Sequence, residues 1–366
     1  MSRPTVIGWL NQGTYEERRG RKPGIKRIYT NEEETRVASI KETMMKRKDY
    51  FLGVDRVQMH YSTQYPKDRI PSEWFIEDVV RRHDLQTRER KKRQKGMDIV
   101  KRLLFPIQSI ICLGTIQQSA DFIGKKFIHG REEPISFFCT GYYQWLQLYR
   151  VWRILAETVD SAIECLSGFW VTHPIPHVFR IDNGMTWRGG NVTAHLGRFL
   201  KFLLNLGITP LFSAPYASYT NPHIEGHNSV FAQKLWAKHT FLDPEEIDPE
   251  CDRFNTEDQR FYEWKFKERL SKKGLRYLRQ DQTVDIDSLR STRGKKITFL
   301  RRVERWIEEA NTCGIVLLNR FVRLPDPYNN QYVFVVINLE TATLHVYSER
   351  EGIRTEILRK PFPITW

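Results

Sequence analysis

The sequence predicts a multidomain chain: an α-helical amino-terminal region, an α/β core and a small all-β barrel at the carboxy terminus. Three observations carry this. Apolar residues recur at helical spacing between 31 and 86; strand and helix patterns then alternate from 115 onward in the order βββαβαβα; and from Lys296 short strands follow one another at near-regular spacing. The 366 residues suffice for two or three domains, and 40% hydrophobic content with ten Trp provides for packed cores.

The first segment, 1–30, holds a helical pattern from Pro4 to Gln12 closed by Gly13, then the basic stretch Arg18 to Arg27. It reads as the last helix of a partial helix-turn-helix with a basic arm, or as a single helix that docks on the next domain. In 31–86 three helices are expected, Glu32–Lys48, Val54 to about Tyr61, and Glu73–His83 behind the Pro71-Ser72 cap, with Val37, Ile40, Met44, Trp74, Phe75, Val79 and Val80 available for packing. Three short helices followed by Arg81 and Arg82 suit a helix-turn-helix whose last helix enters a major groove, and an ordinary small helical bundle has the same apolar pattern. Residues 87–110 open with TRERKKRQK, so Arg88, Arg90, Lys91, Lys92, Arg93 and Lys95 form a basic linker. Such a run attracts phosphate without reading sequence, or is simply a solvated connection.

The core is expected over 111–240, with strands Thr115–Ile123, Pro134–Thr140 and Tyr143–Val151, a helix Ala156–Trp170, a strand His177–Ile181, a helix Val192–Leu206, a strand Thr209–Ser213 and a helix from Pro222. Right-handed parallel crossovers are strongly preferred, so the strand after the first helix should lie beside the first strand, which makes Asp121 and Asp182 neighbours. Asn221 is a good N-cap and Pro222 suits the first helical position, placing Glu225 in the first turn. Three carboxylates that converge offer hard oxygen ligands able to hold one or two magnesium ions against a phosphodiester. Residues 241–295 read as a charged helical connection, with Glu245–Asp258 an exposed acidic stretch and Gln259–Lys273 a helix. Strands are then expected at 296–302, 314–318, 320–324, 332–338, 343–347 and 354–358 within a barrel spanning 296–366.

Local motifs sharpen the core. They are Asp-Phe-x-Gly at 121–124, Asp-Asn-Gly at 182–184, Gly-Ile at 207–208, Ala-Pro-Tyr at 214–216 and Asn-x-x-x-Glu-x-x-Asn at 221–228, with 61 residues from Asp121 to Asp182 and 43 from Asp182 to Glu225. In this order they resemble the catalytic core of the retroviral-integrase and insertion-sequence transposase superfamily. The second interval is longer than is usual there, and Pro222 stands where Gly is common. The resemblance implies a ribonuclease H-like fold and a catalytic, metal-binding triad of Asp121, Asp182 and Glu225 with Mg2+ or Mn2+, two ions in all. It implies an enzyme that hydrolyses phosphodiesters and transfers strands, with double-stranded DNA (element ends and target) as partner and a homo-oligomer formed on it. The helices of 31–86 and the terminal barrel are similar to the DNA-contacting domains that flank such cores, although small barrels also bind proteins. A non-catalytic DNA-binding protein derived from a transposase is the alternative.

The formal charge of +14 points to a polyanionic partner, and it is uneven: residues 1–95 hold 23 Lys and Arg against 14 Asp and Glu. Lys234 and Lys238, expected on the Glu225 helix, are candidates for phosphate contact or for surface solvation. His223 and His227 bracket Glu225, but a metalloprotease needs Glu next to the first His, and here one residue intervenes. The histidines are expected to flank the metal site or contact DNA. Five scattered Cys without a Cys-x-x-Cys indicate neither a disulfide framework nor a zinc finger. The apolar stretch Leu103–Ile116 is too short and too interrupted to span a bilayer, so the expected location is cytoplasmic, at the nucleoid if the host is bacterial.

Overall fold

Helix α1 (Asn31–Lys46) begins where Thr30 and Glu33 satisfy each other's backbone N–H groups: the Thr30 hydroxyl accepts from Glu33 N at 3.1 Å, and the Glu33 carboxylate accepts from Thr30 N at 2.6 Å. The computed structural model describes residues 29–86, 116–128, 130–143, 148–184, 187, 195–215, 222–271, 274–306, 309, 311–350 and 353–365. The chain divides into two units, Met1–Lys48 with Leu52–Glu89, and Asp49–Phe51 with Arg90–Trp366. The expected helix Pro4–Gln12 and the basic linker fall outside the described residues.

In the first unit α1 packs with α2 (Val54–Gln64) and α3 (Glu73–Arg82) around Val37, Ile40, Met44, Val57, Tyr61, Phe75, Ile76 and Val79. Ser72 caps α3 by accepting from Phe75 N at 3.3 Å. Lys41 lies in this core, and its ammonium donates to the Leu52 carbonyl at 2.5 Å while its aliphatic stem packs.

The second unit is built on a sheet in which β1 (Gln117–Phe127), β2 (Pro134–Tyr143) and β3 (Tyr149–Ile154) form an antiparallel meander. Alternation along β1 and β2 gives each face its own core. Ala120, Phe138 and Tyr142 meet α4 (Val159–Thr172) and α5 (Arg198–Asn205) on one side, whereas Ile123, Phe137 and Cys139 meet α6 (Pro222–Lys234) and α7 (Ile247–Lys265) on the other. Between β1 and α4 the polar groups form a closed chain: Trp170 Nε1 donates to Gln118 Oε1 at 2.8 Å, Gln118 Nε2 to Thr140 Oγ1 at 2.8 Å, and Thr140 to the Ser119 carbonyl at 2.7 Å. Strands β4 (Val178–Ile181) and β5 (Thr209–Phe212) extend the sheet in parallel beyond β1.

Two sequence expectations need correction. The acidic stretch Glu245–Asp258 is not an exposed connection, because α7 starts at Ile247 and buries Ile247, Cys251, Phe254, Asn255, Asp258 and Phe261 along one stripe. Pro249 falls in its first turn, where no intrahelical N–H bond is lost. This stripe covers the sheet edge: Asn255 accepts from Val151 N at 3.0 Å and donates to Val151 O at 2.8 Å, and Asp258 accepts from Tyr149 N at 3.1 Å. Side chains of a helix thus stand in for a further strand.

The carboxy-terminal strands, for their part, are not a separate barrel. Strand β6 (Lys296–Arg302) pairs in parallel with β5 through Leu211↔Thr298 and Phe212↔Phe299, and β10 (Tyr332–Asn338), β11 (Thr343–Arg350) and β12 (Ile353–Pro361) continue the sheet. Its order is β12-β11-β10-β6-β5-β4-β1-β2-β3. Only β7 (Glu304–Trp306), β8 (Thr312–Leu317) and β9 (Arg320–Arg323) form a second, three-stranded sheet. Without β6 the strand β5 would present an open edge; alternating polarity reports a buried strand face and not which neighbour pairs with it.

Asn255→Leu should therefore destabilise the unit by about 2–4 kcal/mol in urea unfolding, since it strands the N–H and C=O of Val151 together. His173 supplies a pH test. It stacks on Phe169 at 4.2 Å, and burial, with Arg150 nearby, pushes its pKa down to about 4. Between about pH 6.5 and 4 the unfolded chain binds a proton that the folded chain refuses, so stability falls as pH drops through that window. His173→Gln should remove roughly 2 kcal/mol of the stability lost across that window in pH-dependent thermal unfolding.

Candidate active site

The pairing of β1 with β4 runs Gln117↔Val178, Gln118↔Phe179 and Ser119↔Arg180. Carried two residues past the last pair, this register brings Asp121, inside β1, level with Asp182, which follows the end of β4. Asp182 is the first residue past β4; its Oδ1 accepts from Gly184 N at 2.9 Å, which turns the chain sharply. A side chain at 184 would meet Asp182 Oδ1 at 3.0 Å and Trp187 Cδ1 at 3.3 Å, so the turn favours glycine. Asn183 ties the same turn to β5 by donating to the Ser213 carbonyl at 2.6 Å, and Arg301 Nη1 reaches that carbonyl at 3.0 Å.

Glu225 lies in the first turn of α6, exposed, as is Asp182. Asn221 falls outside the described residues. Asp121 is half-buried, and its carboxyl is pushed up to about 7, first by burial, then by the charge of Asp182; the Phe122 N–H and Asn228 oppose this, and Glu225 adds to it. Asp121 therefore feels the charge of both other carboxylates. Among the described residues no group of three His, Cys, Asp or Glu side chains is gathered closely enough to hold a metal ion. The donor chemistry fits magnesium all the same: the oxygens are hard, and Asp121 is held in a field of negative charge that a cation would relieve.

Asn228 is a residue that sequence reasoning placed in a motif and gave no role. Its Nδ2 donates to Asp121 Oδ2 at 3.2 Å, while its Oδ1 is fixed by two donors, the Cys139 thiol at 3.0 Å and the Tyr149 hydroxyl at 3.3 Å. Those donors determine which way the amide faces. The three-residue step from Glu225 places both on adjoining turns of α6, a signal readable in the chain; Cys139 and Tyr149 come from two other strands and leave none.

His223 and His227, expected to flank the metal site or contact DNA, pack against each other. Their rings lie 4.4 Å apart with Nε2 atoms at 3.3 Å, His227 stacks on Tyr149 at 4.6 Å, and burial pushes His223 down to about 4 and His227 well below its usual range. Of the expected DNA contacts, Lys234 donates to the Tyr50 carbonyl at 3.2 Å and lies over the Phe51 ring, and Lys238 is exposed on a 3-10 turn, Trp236–Lys238, past the end of α6. Arg81 pairs with Asp78, and Arg82 with Asp78 and Glu34, so both are partly neutralised within their own unit. Arg88, Arg90, Lys91, Lys92, Arg93 and Lys95 lie outside the described residues. No helix among the described residues is long and apolar enough to cross a membrane.

The sign of the Asp121 shift sets a test. From about pH 4 to 7 the folded chain holds a proton that the unfolded chain has released, so stability contributed at low pH is lost as pH rises through about 7. At pH 8 with chelator, Asp121→Asn should be more stable than wild type by about 2 kcal/mol after discounting for solvent screening. Asn228→Leu removes a bond that favours the ionised carboxyl and should move the midpoint of this pH dependence upward in thermal unfolding.

No protein-family model matches the chain, and no curated protein matches it. Among solved structures it is similar to a chain of the simian T-cell lymphotropic virus intasome in complex with the PP2A regulatory subunit B56 gamma, with 9% identity, a TM-score of 0.33, and 83% of this chain and 93% of that chain covered.

Proposed function

We propose that the chain is a DNA transposase or integrase that hydrolyses phosphodiesters and transfers strands on a ribonuclease H-like core. The supporting observation is the β1–β4 register, which sets Asp121 level with Asp182, together with the charge of Asp182 and Glu225 felt at Asp121. In this reading Asp121, Asp182 and Glu225 would hold two Mg2+ or Mn2+ ions, which when bound supply Lewis-acid activation of the attacking oxygen and charge relief at the leaving oxygen. Asn228 holds the Asp121 carboxylate in one orientation, and the Asn183 bond to Ser213 holds the Asp182 turn against β5. The helices of the first unit and the basic run Arg88–Lys95 would hold duplex DNA through its phosphates, as a homo-oligomer with two element ends paired.

A non-catalytic DNA-binding protein is the second reading. It is favoured by one observation, the lack among the described residues of three ligating side chains already drawn together. Divalent-ion titration separates the two: a thermal shift on Mg2+ or Mn2+ that Asp182→Asn abolishes supports the first.

Asp121→Asn, Asp182→Asn and Glu225→Gln should each abolish Mg2+-dependent cleavage and joining of oligonucleotides while leaving DNA affinity within about threefold, because each amide keeps the size and loses the charge. Wild-type activity in any one of them removes that carboxylate from the site. A fragment of residues 1–95 should bind duplex DNA in mobility shifts, with affinity falling steeply from low to moderate salt. Absence of binding at low salt refutes the assignment of DNA binding to this region.

A further inference from the structure

Arg180, on β4 two residues before Asp182, is only 5% exposed. Among the described residues it forms no ion pair. Its guanidinium lies over the Tyr143 ring, 4.6 Å from the centroid. The edge of the same ring meets His223 of α6 at 5.3 Å, and His223 Nδ1 is buried without a hydrogen-bond partner. The segments that adjoin Tyr143 and His223 in sequence, 144–147 and 216–221, contain no Asp or Glu. A cation removed from water without a carboxylate is costly unless an anion or a set of acceptors compensates it, and here one aromatic ring face lies against it.

We propose that Arg180, Tyr143 and His223 form an anion subsite beside the three carboxylates, and that its ligand is a phosphodiester group of the nucleic acid. The chemistry matches. A guanidinium offers a fork of N–H donors to two phosphate oxygens, the phenol offers an O–H, and the unpartnered imidazole nitrogen is free to take a further proton-mediated bond. The placement also answers a problem of the proposed reaction, on which this subsite rests. Asp121, Asp182 and Glu225 repel a phosphodiester, and Arg180 sits one pleat below Asp182 on the same strand face, near His223 of α6, where positive charge draws the backbone in.

The test uses the full chain. Inorganic phosphate should raise the wild-type melting temperature above that in chloride at equal ionic strength, and R180M should lose the increment. R180M should be no less stable than wild type in phosphate-free buffer, since it removes a buried uncompensated charge, and R180K should regain part of the phosphate response, which a packing defect would not give. A scan of single methylphosphonates along a duplex should find one position whose neutralisation weakens wild-type binding about tenfold and R180M binding less than twofold.

A wild-type protein indifferent to phosphate, or an R180M scan identical to wild type, overturns the subsite. If R180M fails to fold, the wild-type comparison of phosphate with chloride still decides. Loss of cleavage in D182N beside an unchanged R180M scan rejects the subsite alone, whereas an R180M-sensitive position beside full cleavage in D121N, D182N and E225Q rejects the catalytic reading and keeps the subsite.

Discussion

The hydrogen-bonded register between β1 and β4 is the constraint on which the site depends. Three pairs, ending at Ser119↔Arg180, fix the relative height of two strands that are some sixty residues apart in the chain. A slip by one residue would turn one aspartate to the opposite face, because side-chain direction alternates along a strand. The register is held from both sides: Trp170, Gln118, Thr140 and Ser119 form a satisfied polar chain across β1 and β2, and β5 clamps the far side of β4 through Ile181↔Phe212.

The price of this arrangement falls on Asp121. It is the most enclosed of the three carboxyls and carries the raised pKa, which the Phe122 N–H and the Asn228 amide offset in part. Asn228 in turn depends on Cys139 and Tyr149, and Tyr149 N is bound by Asp258 of α7. A chain of contacts therefore runs from the edge-capping helix to the candidate catalytic aspartate. Substitutions along it act on Asp121 without touching substrate, which separates positioning from chemistry in any mutant series.

Extension of the sheet by β6 and β10–β12 ties the carboxy-terminal segment to the site. Thr298 donates to the Pro210 carbonyl at 2.8 Å, and Arg301 donates to the carbonyl of Ser213, the same oxygen that receives Asn183 from the Asp182 turn. Two donors from distant parts of the sequence thus converge on one backbone oxygen next to the site. The carboxy-terminal strands accordingly help to fix the Asp182 turn, a role that a barrel on a linker would not have.

What the sequence determined by itself was local. Cap residues such as Thr30 and Ser72, the apolar stripes of α1 to α3, the strands around Asp121 and ahead of Asp182, and the place of Glu225 in a first helical turn are all set by neighbours within a few residues, where propensity and periodicity act. The tertiary structure decided whatever depends on pairing between distant segments. The pattern of β6 and β10–β12 says strand but not which edge they join; the acidic character of 245–258 hid a buried stripe whose Asn255 and Asp258 bond to β3; and Lys234, basic in sequence, is turned inward to the Tyr50 carbonyl. Asn228, Cys139 and Tyr149 meet only because a helix and two strands cross at one point, and Arg180 is buried where the fold lays the Tyr143 ring against it. Hydrogen-bond partners across a fold are properties of three-dimensional proximity, which no periodicity along the chain encodes.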